Sequence, residues 1–266
     1  MIKKLIRSLH IVGYMHYQRF FERLHGFSLG GMNIGRAGLF EEDGELKVLE
    51  YIKGKEGDKG LVLFDVGANI GHYTEALVNQ FGDKAKVYSF EPSKKTFETL
   101  SKTIGGNQAC KGKVTLTNVG LSDKAETVEL FTDADNSGLA SVYKRKLDHF
   151  GTSMDKSEKV ALATLDDFCK KNLISEIDLL KMDVEGHELS VLHGAKGMLA
   201  QKAIKYIQFE FGGNNIDSRT FFQDFYYLLK DDFNLFRIVK DGLCPITGYK
   251  ETYECFLCTV FFAELK

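Results

Sequence analysis

Lys181, Asp183, Glu185, His187 and Glu188 crowd the end of an apolar run that begins at Ile177. On a strand, Lys181 and Asp183 project from one face, because alternate side chains share a side. A carboxylate at such a tip can take a proton from a hydroxyl, anchor an ammonium group or ligate a metal ion. Asp183 is the first candidate for a general base, with Lys181 beside it as a further catalytic candidate. The alternative is a structural Lys181–Asp183 ion pair. Glu185, His187 and Glu210 stand in reserve as bases. Glu210 ends a second apolar run, Ala203 to Phe211, where the backbone of the next turn could equally satisfy it. Asp183, Glu185 and Glu188 offer oxygen ligands suited to Mg²⁺, but acids at these spacings need not converge, and no metal is expected.

Two other stretches must position this cluster. Leu61 to Phe64 reads as a buried strand; after Asp65 comes the turn Gly67-Ala68-Asn69-Ile70-Gly71, and a helical pattern follows through Tyr73, Ala76, Leu77 and Phe81. Strand, tight turn and helix form the entry unit of a doubly wound sheet, whose ligands sit at strand carboxyl ends. The spacing lacks the middle glycine of a dinucleotide fingerprint, and no Lys-Ser/Thr pair follows Gly71 as a P-loop requires. Asn69 stands where that glycine could be, and asparagine tolerates a left-handed backbone. About twenty residues on, the strand Lys86 to Phe90 ends at Glu91, the separation expected of a ribose-reading acid. Pro92 keeps Glu91 extended. A ligand with adenosine and a charged amino-acid tail but no phosphate suits this pair, and S-adenosylmethionine is such a molecule.

Asp65-Val-Gly-Ala-Asn-Ile-Gly71 followed by Phe90-Glu-Pro92 resembles the first motifs of class I S-adenosylmethionine-dependent methyltransferases. With Lys181-x-Asp183-x-Glu185-Gly186-x-Glu188, the chain is most similar to the FkbM family. That resemblance covers roughly residues 45 to 262. It implies an α/β fold with a doubly wound, mostly parallel, seven-stranded Rossmann-like sheet whose last strand inserts antiparallel, plus an N-terminal helical extension. It also implies cofactor contacts at Asp65, Gly67, Ala68, Asn69, Gly71, Tyr73, Glu91 and Asp183, with Leu121 and Ser122 on the adenine side. The implied reaction is O-methylation of a sugar, a glycan or glycolipid, or a polyketide-like small molecule. Methyltransferases of amino groups typically carry an Asn- or Asp-Pro-Pro-aromatic motif at the fourth strand; the two prolines here, Pro92 and Pro245, lie elsewhere. Two competitors remain: a non-catalytic S-adenosylmethionine-binding module recruited to a membrane or partner, and an NAD(P)-dependent oxidoreductase.

The expected organisation is an extension over residues 1–44 and a catalytic domain over 45–266. A hydrophobic content of 44% is enough for a substantial core, and a net charge of -2 gives no sign of nucleic-acid binding. Five scattered cysteines argue against a disulfide framework and for a reducing, cytoplasmic setting. Cys255 and Cys258 fall in an apolar, strand-like run that reads as core rather than a metal pair. No apolar run of about eighteen residues is present. Residues 1–25 form an amphipathic basic pattern, with Lys3, Lys4, Arg7, Arg19 and Arg23 among Leu5, Leu9, Phe20 and Leu24. Packing is the usual fate of such a face, so this helix is expected to cap the main domain. Peripheral contact with an anionic membrane surface, at the inner face of a membrane, is the alternative. Gly26 to Gly44 reads as a loop. The polar stretch Thr132 to Glu158 is long enough to be a lid or acceptor-binding loop. The oligomeric state has no signature.

Overall fold

The computed structural model describes residues 11–35 and 43–266. The chain forms β1 (Leu61–Val66), β2 (Ala85–Phe90), β3 (Val114–Thr117), β4 (Gly120–Leu121), β5 (Glu126–Thr132) and β6 (Lys156–Ala163). These are followed by β7 (Ile177–Met182), β8 (Ile204–Phe211), β9 (Phe233–Val239), β10 (Gly242–Ile246) and β11 (Thr259–Leu265). Eight of them make one sheet in the order β10-β9-β11-β8-β7-β1-β2-β3. The pairs from β3 to β8 are parallel, and β11 runs antiparallel to both β8 and β9. The doubly wound sheet with an inserted antiparallel last strand is therefore present.

The expected seven strands are eight. Leu243 to Ile246 turns back on β9, and Pro245 lies in this edge strand rather than in a loop. An edge is where a strand proline is tolerated, because its missing N–H costs no ladder bond. A separate three-stranded sheet, β4-β6-β5, also forms.

The central strand β7 is buried along its whole length, as its near-continuous apolar sequence requires. Alternation splits the core into two layers: Phe64, Phe90, Leu180 and Phe209 pack on one side, and Leu63, Val87, Leu179 and Tyr206 on the other. Helices Glu45–Glu56, His72–Phe81 and Lys94–Gly106 carry apolar residues into the second layer. Ser93 caps the last of these. Thr164 caps helix Leu165–Lys171 by accepting the Asp167 N–H at 3.0 Å, as its sequence predicts.

At the N-terminal side, residues 1–10 of the predicted basic helix lie outside the described residues. A helix runs from Gln18 to Gly31, so the loop expected from Gly26 begins only after Gly31; residues 36–42 are also undescribed. Its apolar side does not cap the domain: Phe20, Leu24 and Phe27 are exposed, while Leu29 is buried. Cys255 and Cys258 precede β11 instead of lying within a strand, and all five cysteines are free. No helix among the described residues is long and apolar enough to cross a membrane.

Candidate active site

A row of polar residues crosses the middle of the sheet. Ser89, Asp65, Lys181 and Gln208 are register partners on β2, β1, β7 and β8. Thr74 ties the first two together, donating to Asp65 Oδ2 at 2.6 Å and bonding Ser89 Oγ at 2.8 Å. Lys181 Nζ lies 3.4 Å from Asp65 Oδ1 and 3.6 Å from Asp183 Oδ2, and 5.0 Å from the Tyr73 ring centre. Burial alone would lower the pKa of Lys181, but Asp65, Asp183 and Glu45 hold it above its ordinary value. Lys181 is therefore a fixed ammonium beneath the strand tips. The row continues through Gln208, which donates to Glu45 Oε2 and accepts from the Tyr73 hydroxyl at 3.0 Å.

Above this row the β1 turn closes on β2. Gly67 N and Ala68 N donate to the Phe90 carbonyl at 3.0 and 2.9 Å. Gly67 (φ +81°) permits a backbone contact: a Cβ there would stand 1.9 Å from the Asp183 carbonyl oxygen. Asn69 takes the left-handed conformation (φ +46°), as expected, and its N–H donates to Glu91 Oε2 at 3.1 Å. Ser93 N donates to the other carboxylate oxygen at 2.9 Å. Burial pushes Glu91 up to about 7, against the pull of those two N–H groups.

Two cavities flank the turn. A narrow one of about 60 Å³ has Glu91 in its wall beside the apolar Pro92, Leu121, Leu130, Val142 and Leu162. A wider one of about 500 Å³ is lined by Asp43, Glu45, Lys181, Asp183, Glu185 and Glu210. Both share Gly67, Asn69, Gly138, Asp183 and Glu185, so the two spaces flank the tip of β7. A flat ring system with a diol beside Glu91 suits the first cavity. The second suits a polar molecule presented to Asp183.

The candidate residues divide by location. Gly67, Asn69 and Asp183 border both spaces; Ala68 and Tyr73 line the wide cavity, and Glu91 and Leu121 the narrow one. Asp65 is fully buried and lines neither, and Gly71 packs toward Leu100 and Ile104. Ser122 lies behind His187, bonded to Nε2 at 2.9 Å, while Tyr143 holds Nδ1 at 3.0 Å. With both nitrogens engaged and burial lowering its pKa to about 4, His187 is a neutral wall of the narrow cavity, not a base facing the wide one.

The acids that converge are also not those expected. Asp183, Glu185 and Glu210 bring ligand atoms within 4.8 Å of one another. Glu188 turns back to accept the N–H groups of Val184 (2.9 Å) and Gly186 (3.3 Å), and burial pushes it up to about 7. Burial, with Asp183 adding to it, raises Glu185 to about 8 against the pull of Arg145, and raises Glu210 well above its usual range.

Sequence reasoning misses Arg145. It lies within the polar stretch between β5 and β6, yet its guanidinium is buried against Glu185 and lies 3.9 Å from Asp217. Ser141 Oγ donates to the Glu185 carbonyl at 2.8 Å, so this stretch is fastened across the β7 tip. Gln208 and Tyr143 are missed for the same reason. Their partners are distant in sequence, and single polar residues in apolar or loop segments carry no local signature.

The family model of the Methyltransferase FkbM domain matches residues 65–235. The chain belongs to the FkbM methyltransferase family. This FkbM chain is 30% identical over 156 residues to the hexuronic acid methyltransferase AglP of Haloferax volcanii, a match covering 59% of the chain and 58% of AglP. It is 32% identical over 157 residues to methyltransferase sdnD of Sordaria araneosa, covering 50% and 59%. It is 24% identical over 181 residues to the 2-O-methyltransferase NoeI of Sinorhizobium fredii, covering 65% and 72%. The FkbM chain thus matches less than two thirds of the length of AglP and sdnD. Among solved structures, it aligns with the methyltransferase FkbM of Methylobacillus flagellatus at a TM-score of 0.46 and 16% identity, over 77% of this chain and 44% of that one.

Proposed function

We propose that the protein is an S-adenosylmethionine-dependent O-methyltransferase acting on a hydroxyl of a saccharide or related small molecule. One observation carries the reading: a buried carboxylate, Glu91, lies in the wall of a narrow cavity that shares Asp183 with a wider, acid-bearing one. The apolar walls would hold adenine, and Glu91 would accept hydrogen bonds from the ribose hydroxyls. S-adenosylmethionine, when bound, supplies an electrophilic methyl group. Asp183 then faces the acceptor hydroxyl and takes its proton, while Lys181 holds the carboxylate in place. The Gly67–Asn69 turn and the Ser141–Arg145 segment exclude water and orient the partners.

AglP and NoeI are named for methylation of a hexuronic acid and for 2-O-methylation, and this supports a sugar hydroxyl as acceptor. The wide cavity presents Asp43, Glu45, Asp183, Glu185 and Glu210 against the amine of Lys181. Five free cysteines suit a reducing compartment such as the cytoplasm.

Calorimetry with S-adenosylmethionine tests the cofactor, and the absence of binding by the intact protein would refute it. Mass spectrometry of host glycan and metabolite extracts, with and without active protein, tests the reaction through a gain of one methyl group. An Asp183→Ala variant with full biological activity would turn the reading toward a non-catalytic module.

A further inference from the structure

The N-terminal helix, Gln18–Gly31, turns its apolar stripe away from the body. Phe20, Leu24 and Phe27 are 57%, 47% and 80% exposed, whereas Leu29 is 8% exposed. At roughly 100° per residue, the three exposed side chains share about 60° of arc, and Leu29 lies nearly opposite. The chain just past the helix is tied to the body. Asn33 Nδ2 donates to the carbonyls of Asp43 (2.7 Å) and Ile238 (3.3 Å), and Gly35 N donates to Cys258 O at 2.9 Å. These bonds tether the carboxyl end of the helix, and with Leu29 buried the stripe lies outward.

Charge decides what covers the stripe. Arg23 and then Arg19 follow one border of it on the wheel, and Glu22 falls on the far side with Leu29. Just before the helix, Val12, Tyr14 and Met15 are also exposed, Met15 by 87%. An aromatic and aliphatic stripe bordered by arginines, with its acid turned away, matches a helix lying in the plane of an anionic lipid surface. Phenylalanines would enter the acyl boundary and the guanidiniums would meet lipid phosphates.

We propose that Gln18–Gly31 is an interfacial helix that seats the protein on an anionic membrane surface. Its root contacts Asp43 and Cys258, both of which line the wide cavity. Seating the helix therefore brings that cavity's rim toward the headgroups. The proposal does not rest on methyl transfer.

Co-sedimentation of the full chain with vesicles tests it, using phosphatidylcholine alone or mixed with phosphatidylglycerol. The wild type is expected to sediment with the anionic vesicles and much less with the zwitterionic ones. Phe20→Glu with Phe27→Glu should weaken that partition by about tenfold or more, and Arg19→Glu with Arg23→Glu should remove the preference for anionic lipid. All four positions are exposed or lie on the outward helix, so an unchanged melting temperature will certify each fold. No binding to anionic vesicles, or equal binding by wild type and the phenylalanine variant, would overturn the proposal. So would a self-associated chain that the phenylalanine substitutions convert to monomers, since the stripe would then be an interface between copies.

Discussion

Asn69 donates its backbone N–H to Glu91 Oε2 at 3.1 Å, from a left-handed turn on one strand to the tip of the next. The residue that bends the chain also orients the carboxylate beside it. The crevice proposed for the cofactor would therefore be preorganised by main-chain geometry.

Replacing Glu91 with glutamine keeps the shape and removes the charge. The expected loss is at least about tenfold in affinity for S-adenosylmethionine, the scale of a hydrogen bond to a charged group. Because burial places Glu91 at about 7, its charged, accepting form grows as pH rises through neutrality. Wild-type affinity should therefore increase from pH 6 to pH 8, and the Glu91→Gln variant should lack that slope. Titration calorimetry at the two pH values reads both effects.

Asp183→Asn should separate binding from chemistry. Cofactor affinity should stay within a few-fold of wild type, while methyl transfer should fall by about 10²–10⁴, the range supplied by general-base catalysis. Single-turnover transfer to an acceptor identified by mass spectrometry measures the drop.

Arg145→Met removes the buried hydrogen bond to Glu185 and leaves that carboxyl without its partner. The expected destabilisation is roughly 1–3 kcal/mol, the usual cost of leaving a buried polar group unsatisfied. Urea denaturation gives the energy. Faster proteolysis within residues 133–155 would show that this segment has come loose.

Gly67→Ala places a methyl group where the Asp183 carbonyl oxygen stands, at a φ that disfavours any side chain. The β1–β7 junction must open. A loss of about 3 kcal/mol or more, with poor soluble yield, is expected.

Glu188 is fully buried and carries a carboxyl raised from the ordinary 4.5 to about 7. The folded chain holds a proton there that the unfolded chain releases near 4.5. Its stabilising contribution is complete below about pH 4.5 and is lost as pH rises toward 7, for about 3 kcal/mol in all. Glu45 and Glu185, each raised to about 8, act with the same sign. The melting temperature without ligand should fall between pH 5 and pH 8, and Glu188→Gln should make that fall shallower. Scanning calorimetry across the range checks it.

Much of this arrangement is legible in the residues. The Asp65–Gly71 turn, the acid at Glu91 and the Lys181–Asp183 tip are each local patterns whose spacing implies their place on a strand or turn. What local pattern cannot reveal is which distant groups meet. Glu210 joins Asp183 and Glu185 only because β8 pairs with β7, while Glu188, nearer in sequence, is drawn back by the N–H groups of its own turn. Pro245 reads as a loop because proline weakens a strand signal, yet an edge strand accepts it. The Gln18–Gly31 helix is legible as amphipathic, but the bonds of Asn33 and Gly35 that tether its end to distant parts of the chain are not.

The place of β11 bears on how the protein is made. Residues Thr259–Leu265 slot between β8 and β9, both synthesised earlier. Until they emerge from the ribosome, two neighbouring strands each present a bare ladder of N–H and C=O groups, the kind of surface that recruits other chains. The seam between β8 and β9 closes only when β11 is in place, so a chain cut before Thr259 would leave both ladders open and be prone to aggregate.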